Sequence, residues 1–129
     1  MGRPADFAAL STAAQADRLA ALARAALPAW DIDPAAELTL LGYRENAVFR
    51  VRTGEQAWAL KVHRNGYHSD AELRSELRWI RALADAGVQV PVFLPTREGT
   101  PFARCAHPGV PGERQVDLSA WVQGEELGN

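Results

Sequence analysis

The sequence predicts an α+β domain with an antiparallel sheet of about five strands and helices on one side of it. Two segments carry apolar residues at helical spacing, and several short segments alternate large apolar residues with small or polar ones, as strands do. Turns containing glycine and proline separate these segments. The elements follow in the order helix, three strands, helix, then two or three strands.

The first helix is predicted from Ser11 or Thr12 to Leu27. The segment is rich in alanine, has leucines at helical spacing, starts at a hydroxyl cap and stops at Pro28. Two strands are expected next, over 38–41 and 48–52, with a turn-like loop over 42–46 between them.

The third strand, predicted over 57–63 after a turn at 53–55, has two unlike faces. Trp58, Leu60 and Val62 alternate with smaller or polar residues, so one face is expected to fill a core. The other face carries small residues and presents Lys61. This strand is therefore where a functional group is expected to stand out from the sheet.

The second helix is predicted over about residues 70–86. Ser69 and Glu72 have the spacing of a capping box, an apolar stripe follows, and Gly87 marks the end. Short strands are then expected over 91–95, 102–106 and 115–122, with a turn around 98–100 and a loop around 108–112.

Length and composition exclude several classes of protein. The 129 residues fit one domain over 1–129, with a helical extension over 1–30 and a sheet with its second helix over 37–122. A net charge of -2 argues against a general nucleic-acid or membrane-surface protein. The single cysteine excludes an internal disulfide, and neither a signal peptide nor a membrane-spanning apolar run is found. We therefore expect a cytoplasmic protein with no nucleic-acid or membrane partner.

Lys61 is the only lysine among fourteen basic residues. A compact ammonium at this position suits a group that binds phosphate as a point charge. The alternative is a general drift toward arginine, which leaves the retained lysine unexplained.

Glu76 falls within the apolar arc of the second helix, beside Ile80. A carboxylate on a buried stripe is costly unless a cation meets it, so the two periodicities predict an ion pair between Glu76 and Lys61. The alternative is a boundary glutamate that reaches solvent.

Several motifs in this order resemble the N-terminal lobe of aminoglycoside-phosphotransferase-like kinases, which include homoserine and choline kinases. Ala-Leu-Lys at 59–61 resembles the A-x-K element of kinase strand three, and 42–51 resembles the family's short nucleotide loop. Glu76 stands where helix C supplies the partner of the lysine. Residues 83–91 and 117–124 resemble the exit of helix C and the hinge.

The resemblance implies ATP with Mg²⁺ as the cofactor and six residues that bind it: Lys61, Glu76, Ala59, Asn46, Ala120 and Val122. In such a lobe Lys61 would hold the α- and β-phosphates, Glu76 would orient Lys61, and Ala59 would line the adenine pocket. Backbone groups of Ala120 and Val122 would hydrogen-bond adenine.

The chain also departs from the family pattern. Gly42 is the only glycine in the loop, so no glycine-rich phosphate cradle is visible. Four arginines could supplement the loop electrostatically or simply face water: Arg44, Arg50, Arg52 and Arg64. The family's catalytic and metal-binding residues lie in a larger C-terminal lobe, so no catalytic residue is expected in this chain.

We therefore expect the nucleotide-binding lobe of a phosphotransferase that moves the γ-phosphoryl group of ATP to a hydroxyl, with weak nucleotide binding and no turnover by the chain alone. The missing lobe or another partner would cover the exposed interface, which also allows self-association. The alternative is a noncatalytic interaction module in which Lys61 and Glu76 form a structural ion pair.

A metal site is not expected. Cys105, His107, His63 and His68 do not have the spacing of a common ligand set. His68-Ser69-Asp70 has the H-x-D pattern of a kinase catalytic loop, but it precedes the second helix and is interpreted as its N-cap.

Overall fold

A computed structural model describes residues 4–66 and 69–121, with side chains from Phe7 onward. The elements are a 3-10 turn at Pro4–Ala9, α1 Thr12–Ala26, a 3-10 turn at Leu27–Trp30, β1 Glu37–Tyr43, β2 Ala47–Thr53, β3 Gln56–Val62, α2 Asp70–Asp85, β4 Ala103–His107 and β5 Val110–Ala120. His68 and Val122 lie outside the described residues. The α+β class with a five-stranded antiparallel sheet is confirmed.

The five strands lie in the order β1-β2-β3-β5-β4, so β3 is the central strand. The β2–β3 hairpin closes at the pair Thr53 and Gln56, leaving Gly54 and Glu55 as a two-residue loop. Gly54 has φ +55°, a positive angle that the first position of such a tight hairpin turn requires. The turn predicted at 53–55 is therefore found where the sequence placed it.

Two loops are shorter than the sequence predicts. β1 continues to Tyr43 through a bulge between Leu40 and Gly42, so the loop predicted over 42–46 is reduced to 44–46. β5 starts at Val110, so Pro111 and Gly112 lie in a strand rather than in the predicted loop. Proline is tolerated at such a strand beginning, where its missing N–H breaks little of the ladder.

The segment 91–95 is not the full strand that was predicted. It runs beside β5 through one isolated bridge, Phe93 with Ser119, and the amide of Leu94 donates to the carbonyl of Leu118 at 2.8 Å. Pro91 and Pro95 have no N–H to donate, which confines the pairing to the residues between them.

α1 covers one face of the sheet, called here the core face. Its fully buried Leu22 packs with Phe49 of β2 and Leu60 of β3 in one apolar cluster. The other buried sheet residues of the cluster are Ala47, Val51, Val62, Val110, Val116 and Leu118. Neither α-helix in the described part of the chain combines the length and the hydropathy that a membrane crossing requires.

α2 lies against the opposite face of the sheet, called here the second face. Side chains alternate along a strand, so Gln115 and Arg104, which neighbour the core residues Val116 and Cys105, point to the second face. Both donate hydrogen bonds to Asp70 at the start of α2. The expectation of helices on one side was therefore wrong, because Asp70 binds polar side chains of β4 and β5 on the face opposite α1, and the apolar partners of α2 come from segments outside the strands.

The apolar contact of α2 is small and separate from the main core. Leu73 and Leu77 pack with Phe102, and the partly buried Phe93 joins them. A complete capping box starts the helix: Ser69 Oγ accepts from the amide of Glu72, and the Glu72 carboxylate accepts from the amide of Ser69. The N-terminal end of α2 is therefore the end that the polar contacts fix.

Asp70 is the polar anchor between α2 and the β4–β5 hairpin. Gln115 Nε2 donates to Asp70 Oδ1 at 2.9 Å, and Arg104 Nη1 donates to Oδ2. These hydrogen bonds lower the pKa of the Asp70 carboxyl below its ordinary 3.8. The ionised carboxylate therefore stabilises the folded chain.

We predict that Asp70→Asn lowers the free energy of unfolding at neutral pH by about 1 kcal/mol, since a partly exposed charge-assisted contact is lost. Because the folded-state pKa is lowered, the wild-type advantage is complete above the ordinary pKa of 3.8 and disappears as the pH falls through the lowered value. Urea unfolding of the wild type and of Asp70→Asn, from neutral pH to below the lowered pKa of Asp70, measures this difference in the free energy of unfolding.

Asp85→Asn is the matched control, because Asp85 is an exposed carboxylate at the other end of α2, 3.7 Å from Arg81. Its loss should leave stability unchanged within a few tenths of a kcal/mol. An Asp70→Asn effect that stays constant from neutral to acidic pH would contradict the anchoring role of the ionised carboxylate.

Candidate functional site

The second face carries two rows of side chains that cross the central strands. Strand pairing puts Val48, Lys61 and Asp117 side by side in one row. The neighbouring row contains Arg50, Ala59 and Ser119. Directly paired residues share a face of an antiparallel sheet, so these six side chains form one continuous surface.

Lys61 is half-buried at the centre of this surface. Val48 flanks it on β2 and Asp117 on β5. The prediction that β3 presents Lys61 away from the core is borne out by the burial of Leu60 and Val62 on the opposite face. The only lysine of the sequence therefore stands on the middle strand, on the face that α1 does not cover.

Asp117 and His63 form a buried pair beside Lys61. His63 Nε2 and Asp117 Oδ2 are 2.6 Å apart, and each side chain is 5% exposed. The backbone also joins the two strands here, because the amide of His63 donates to the carbonyl of Gln115. The alternation of the third strand places His63 on the same face as Lys61, but sequence reasoning missed its pairing with Asp117.

Glu76 does not pair with Lys61 in this structure. It is exposed, and no ion pair joins these two described residues. The reason is the placement of α2, which directs Leu73 and Leu77 to Phe102 near β4 rather than toward the centre of β3. The expectation that Glu76 lies on the buried stripe was wrong, and its role in orienting Lys61 stays a prediction.

Asn46 holds the β1–β2 loop against the end of β3. Its Oδ1 accepts a hydrogen bond from the amide of Arg64 at 2.9 Å, and its carbonyl accepts from the amide of Arg44 at 3.3 Å. Glu45 in the same loop lies 3.5 Å from the Arg64 guanidinium. The contacts of Asn46 thus shape the loop, and a direct contact with a ligand stays a prediction.

Three of the four arginines near this surface are exposed: Arg44, Arg52 and Arg64. Arg50 differs from them, because it is half-buried and its guanidinium carbon lies 5.8 Å from the centre of the Trp121 ring. The interpretation of these arginines as solvent-facing strand residues therefore fails for Arg50.

Ala59 lies at the end of the surface away from the β1–β2 loop, and Ala120 ends β5 beside it, paired with Trp58 of the core face. Ala59 is 7% exposed in the row of Arg50. The amide of Ala120 donates to the carbonyl of Val92 at 2.8 Å, so a contact between Ala120 and a ligand rests on its carbonyl oxygen. Val122 lies outside the described residues.

Residues 4–66 and 69–121 contain no group of three or more His, Cys, Asp or Glu side chains arranged to hold a metal ion. Burial raises the pKa of the half-buried Cys105 thiol, whose Sγ lies 3.7 Å from the carbonyl oxygen of Leu22 on the core side. Cys105 therefore belongs to the packing against α1.

An antiparallel five-stranded sheet, a helix inserted after its third strand and a lone lysine on that strand together define a kinase-like N-terminal lobe. The model of the family described as "Phosphotransferase enzyme family" matches residues 37–128. Because this match covers more than half of the sequence, the chain belongs to that phosphotransferase family.

Two solved structures share the fold. A microcompartment-associated aminopropanol kinase is 37% identical, with a TM-score of 0.72 over 81% of this chain and 32% of its own. An amicoumacin kinase, solved in complex with AMP-PNP, Ca²⁺ and Ami, is 22% identical, with a TM-score of 0.67 over 84% of this chain and 32% of its own. The chain thus spans about a third of the length of these kinases.

One relative among curated proteins is an uncharacterized protein of Deinococcus radiodurans. It is 34% identical over 92 residues, which are 71% of this chain and 26% of that protein. This chain therefore corresponds to about a quarter of that relative.

We predict that His63→Ala and Asp117→Ala each lower the free energy of unfolding by about 3 kcal/mol, because each leaves a buried partner without its counterpart. The double variant should cost at least about 1 kcal/mol less than the sum of the two single losses. Urea unfolding of the four proteins measures this coupling. Strictly additive losses would show that the two side chains do not stabilise each other.

Proposed function

We propose that this chain is the ATP-binding lobe of a phosphotransferase that moves the γ-phosphoryl group of ATP to a hydroxyl of a small molecule or protein. The observation that carries the proposal is the position of Lys61, half-buried on the central strand of a face that α1 leaves uncovered. Membership of the phosphotransferase family and the likeness to an aminopropanol kinase support it.

The two rows of the second face suggest which end of the proposed site would hold the phosphates and which end would hold the base. The row of Lys61 includes Val48, two residues beyond the β1–β2 loop, so the phosphates would lie at this end. The row of Ala59 lies nearer Ala120, where the chain leaves β5, so the base would lie there. Lys61 would then hold the α- and β-phosphates as a compact cation.

Glu76 would orient Lys61 once α2 brings its carboxylate to the ammonium. α2 is fixed mainly at its N-terminal end, through Asp70 and the capping box, so a shift of its remaining turns would keep that anchor. An acidic group brought to Lys61 would hold the ammonium in position for the phosphates by electrostatic attraction.

Transfer to an acceptor would need groups that the described residues do not bring together. Mg²⁺ would enter with ATP, and further ligands for it would come from a second lobe of the family type. We therefore expect the 129-residue chain to bind nucleotide weakly and to show no turnover.

The second lobe would also cover apolar surface beside α2. A groove of about 620 Å³ runs between α2 and the segment 91–95, with Leu77, Ile80 and Phe93 in its wall. Val92, which is 56% exposed, lies on the same segment. An apolar groove of this size beside the proposed site fits an interface with the rest of a longer enzyme.

The single lysine allows a direct test of the proposed site. An ATP analogue that carries an amine-reactive group near its phosphates should modify Lys61, and excess MgATP should prevent the reaction, because both would occupy the same site. Peptide mapping by mass spectrometry identifies the modified amine. The only competing amine is that of the N-terminus, which MgATP should not protect.

Lys61→Ala should abolish the protected modification and weaken MgATP binding about tenfold or more, as expected for loss of a charge-assisted phosphate contact. Arg97→Ala is the matched loss of one cation, because Arg97 is 59% exposed and pairs with Asp31, outside the two rows that cross the central strands. The Arg97→Ala variant should bind MgATP with the same affinity as the unmodified chain. Modification of Lys61 that MgATP does not prevent would overturn the proposed function.

A further inference from the structure

Arg50 crosses the second face from β2 toward the end of β5. Its side chain starts in the row of Ala59 and Ser119, and its guanidinium carbon lies 5.8 Å from the centre of the Trp121 ring. β2 and β5 are the two neighbours of β3, so they are about 9.6 Å apart. The two side chains therefore meet above β3.

The residues of β3 below this path are alanines. Ala59 pairs with Arg50 itself, and Ala57 is the next residue of β3 on the same face. Their small side chains leave room for a long side chain to lie flat across the strand. The low exposure of Ala59, 7%, agrees with a cover of this kind.

The Nε atom of Arg50 is inaccessible to solvent and has no hydrogen-bond partner within residues 4–66 and 69–121. Buried donors are satisfied in the great majority of cases, so the unsatisfied Nε shows that the fold holds this guanidinium in place at the cost of a hydrogen bond, as is expected of a residue with a functional role. The planar guanidinium also offers a face on which an aromatic ring can stack.

We propose that Arg50 recognises the base of the bound nucleotide, with the purine ring stacked on a guanidinium that Trp121 holds in place. This inference rests on the proposed function and adds a base-binding residue at the end of the face away from the β1–β2 loop. The outer nitrogens of the Arg50 guanidinium would donate to acceptor atoms of the base or its sugar, since Nε is covered, whereas Lys61 would meet the phosphates.

Two probes separate base contacts from phosphate contacts: MgATP and magnesium tripolyphosphate, which has the phosphates but no base. Binding is followed by NMR titration of the 129-residue chain, which measures weak affinities. Arg50→Met should raise the Kd for MgATP about fivefold or more, the loss expected for a stacked cation, and leave the Kd for tripolyphosphate unchanged. Lys61→Ala should weaken both.

Arg52→Met is the matched control. Arg52 lies two residues along the same strand on the same face, but it is exposed and its Nε reaches only the carbonyl of Gly54, at 3.4 Å. Its replacement should change neither Kd. Arg50→Lys keeps the charge without the planar group and should not restore MgATP affinity. Trp121→Leu, which removes the ring that holds the guanidinium, is the second variant if Arg50→Met lowers the melting temperature.

The remaining outcomes of these titrations would overturn the inference, and each would do so for a different reason. Equal weakening of both probes would place Arg50 on the phosphates, and tighter MgATP binding by Arg50→Met would show that Arg50 only blocks the face. Unchanged MgATP affinity would remove Arg50 from the site while leaving the proposed function intact. Failure of the unmodified chain to bind either probe would overturn the proposed function itself.

Discussion

The alternation of side chains along β3 is the constraint on which the rest of the structure depends. Leu60 and Val62 enter the core that α1 seals, and their neighbours Ala59 and Lys61 are thereby turned to the opposite face. A slip of one residue in pairing would bury the lysine among leucines and expose the core residues to water. Because such a slip is so costly, the packing of the core also fixes the position of the only lysine.

The two helices have different relations to this sheet. α1 joins the main core through several fully buried residues, whereas α2 contributes a small cluster around Leu73 and a polar anchor at Asp70. An element with little buried apolar area and one fixed end can shift at a low free-energy cost. A rigid core face and a loosely held helix on the second face therefore agree with the proposed function, in which a side chain of α2 would approach a fixed lysine.

Patterns within single elements predicted most of the fold, because they depend on neighbours in sequence. The capping box of α2, the turn at Gly54 and the alternation of β3 all lie where such patterns placed them. Relations between elements were harder to predict. The pairing of His63 with Asp117 depends on the register of β3 against β5, and the exposure of Glu76 depends on where α2 rests along the sheet. The helical period does not specify that position. Glu76 therefore falls within the apolar arc of the helix in the sequence but is exposed in the structure.

Under the proposed function, this lobe would hold phosphate without a glycine-rich turn between β1 and β2. Asn46 ties the loop to Arg64, and Glu45 lies close enough to Arg64 to offset part of its charge. Loop arginines that face water or an acidic neighbour give a diffuse, screened field, which attracts an anion but does not fix its position. Lys61 is half-buried and projects from a paired strand, so its charge acts from a defined point. In this lobe the position of a phosphate would accordingly depend on the central strand more than on the loop.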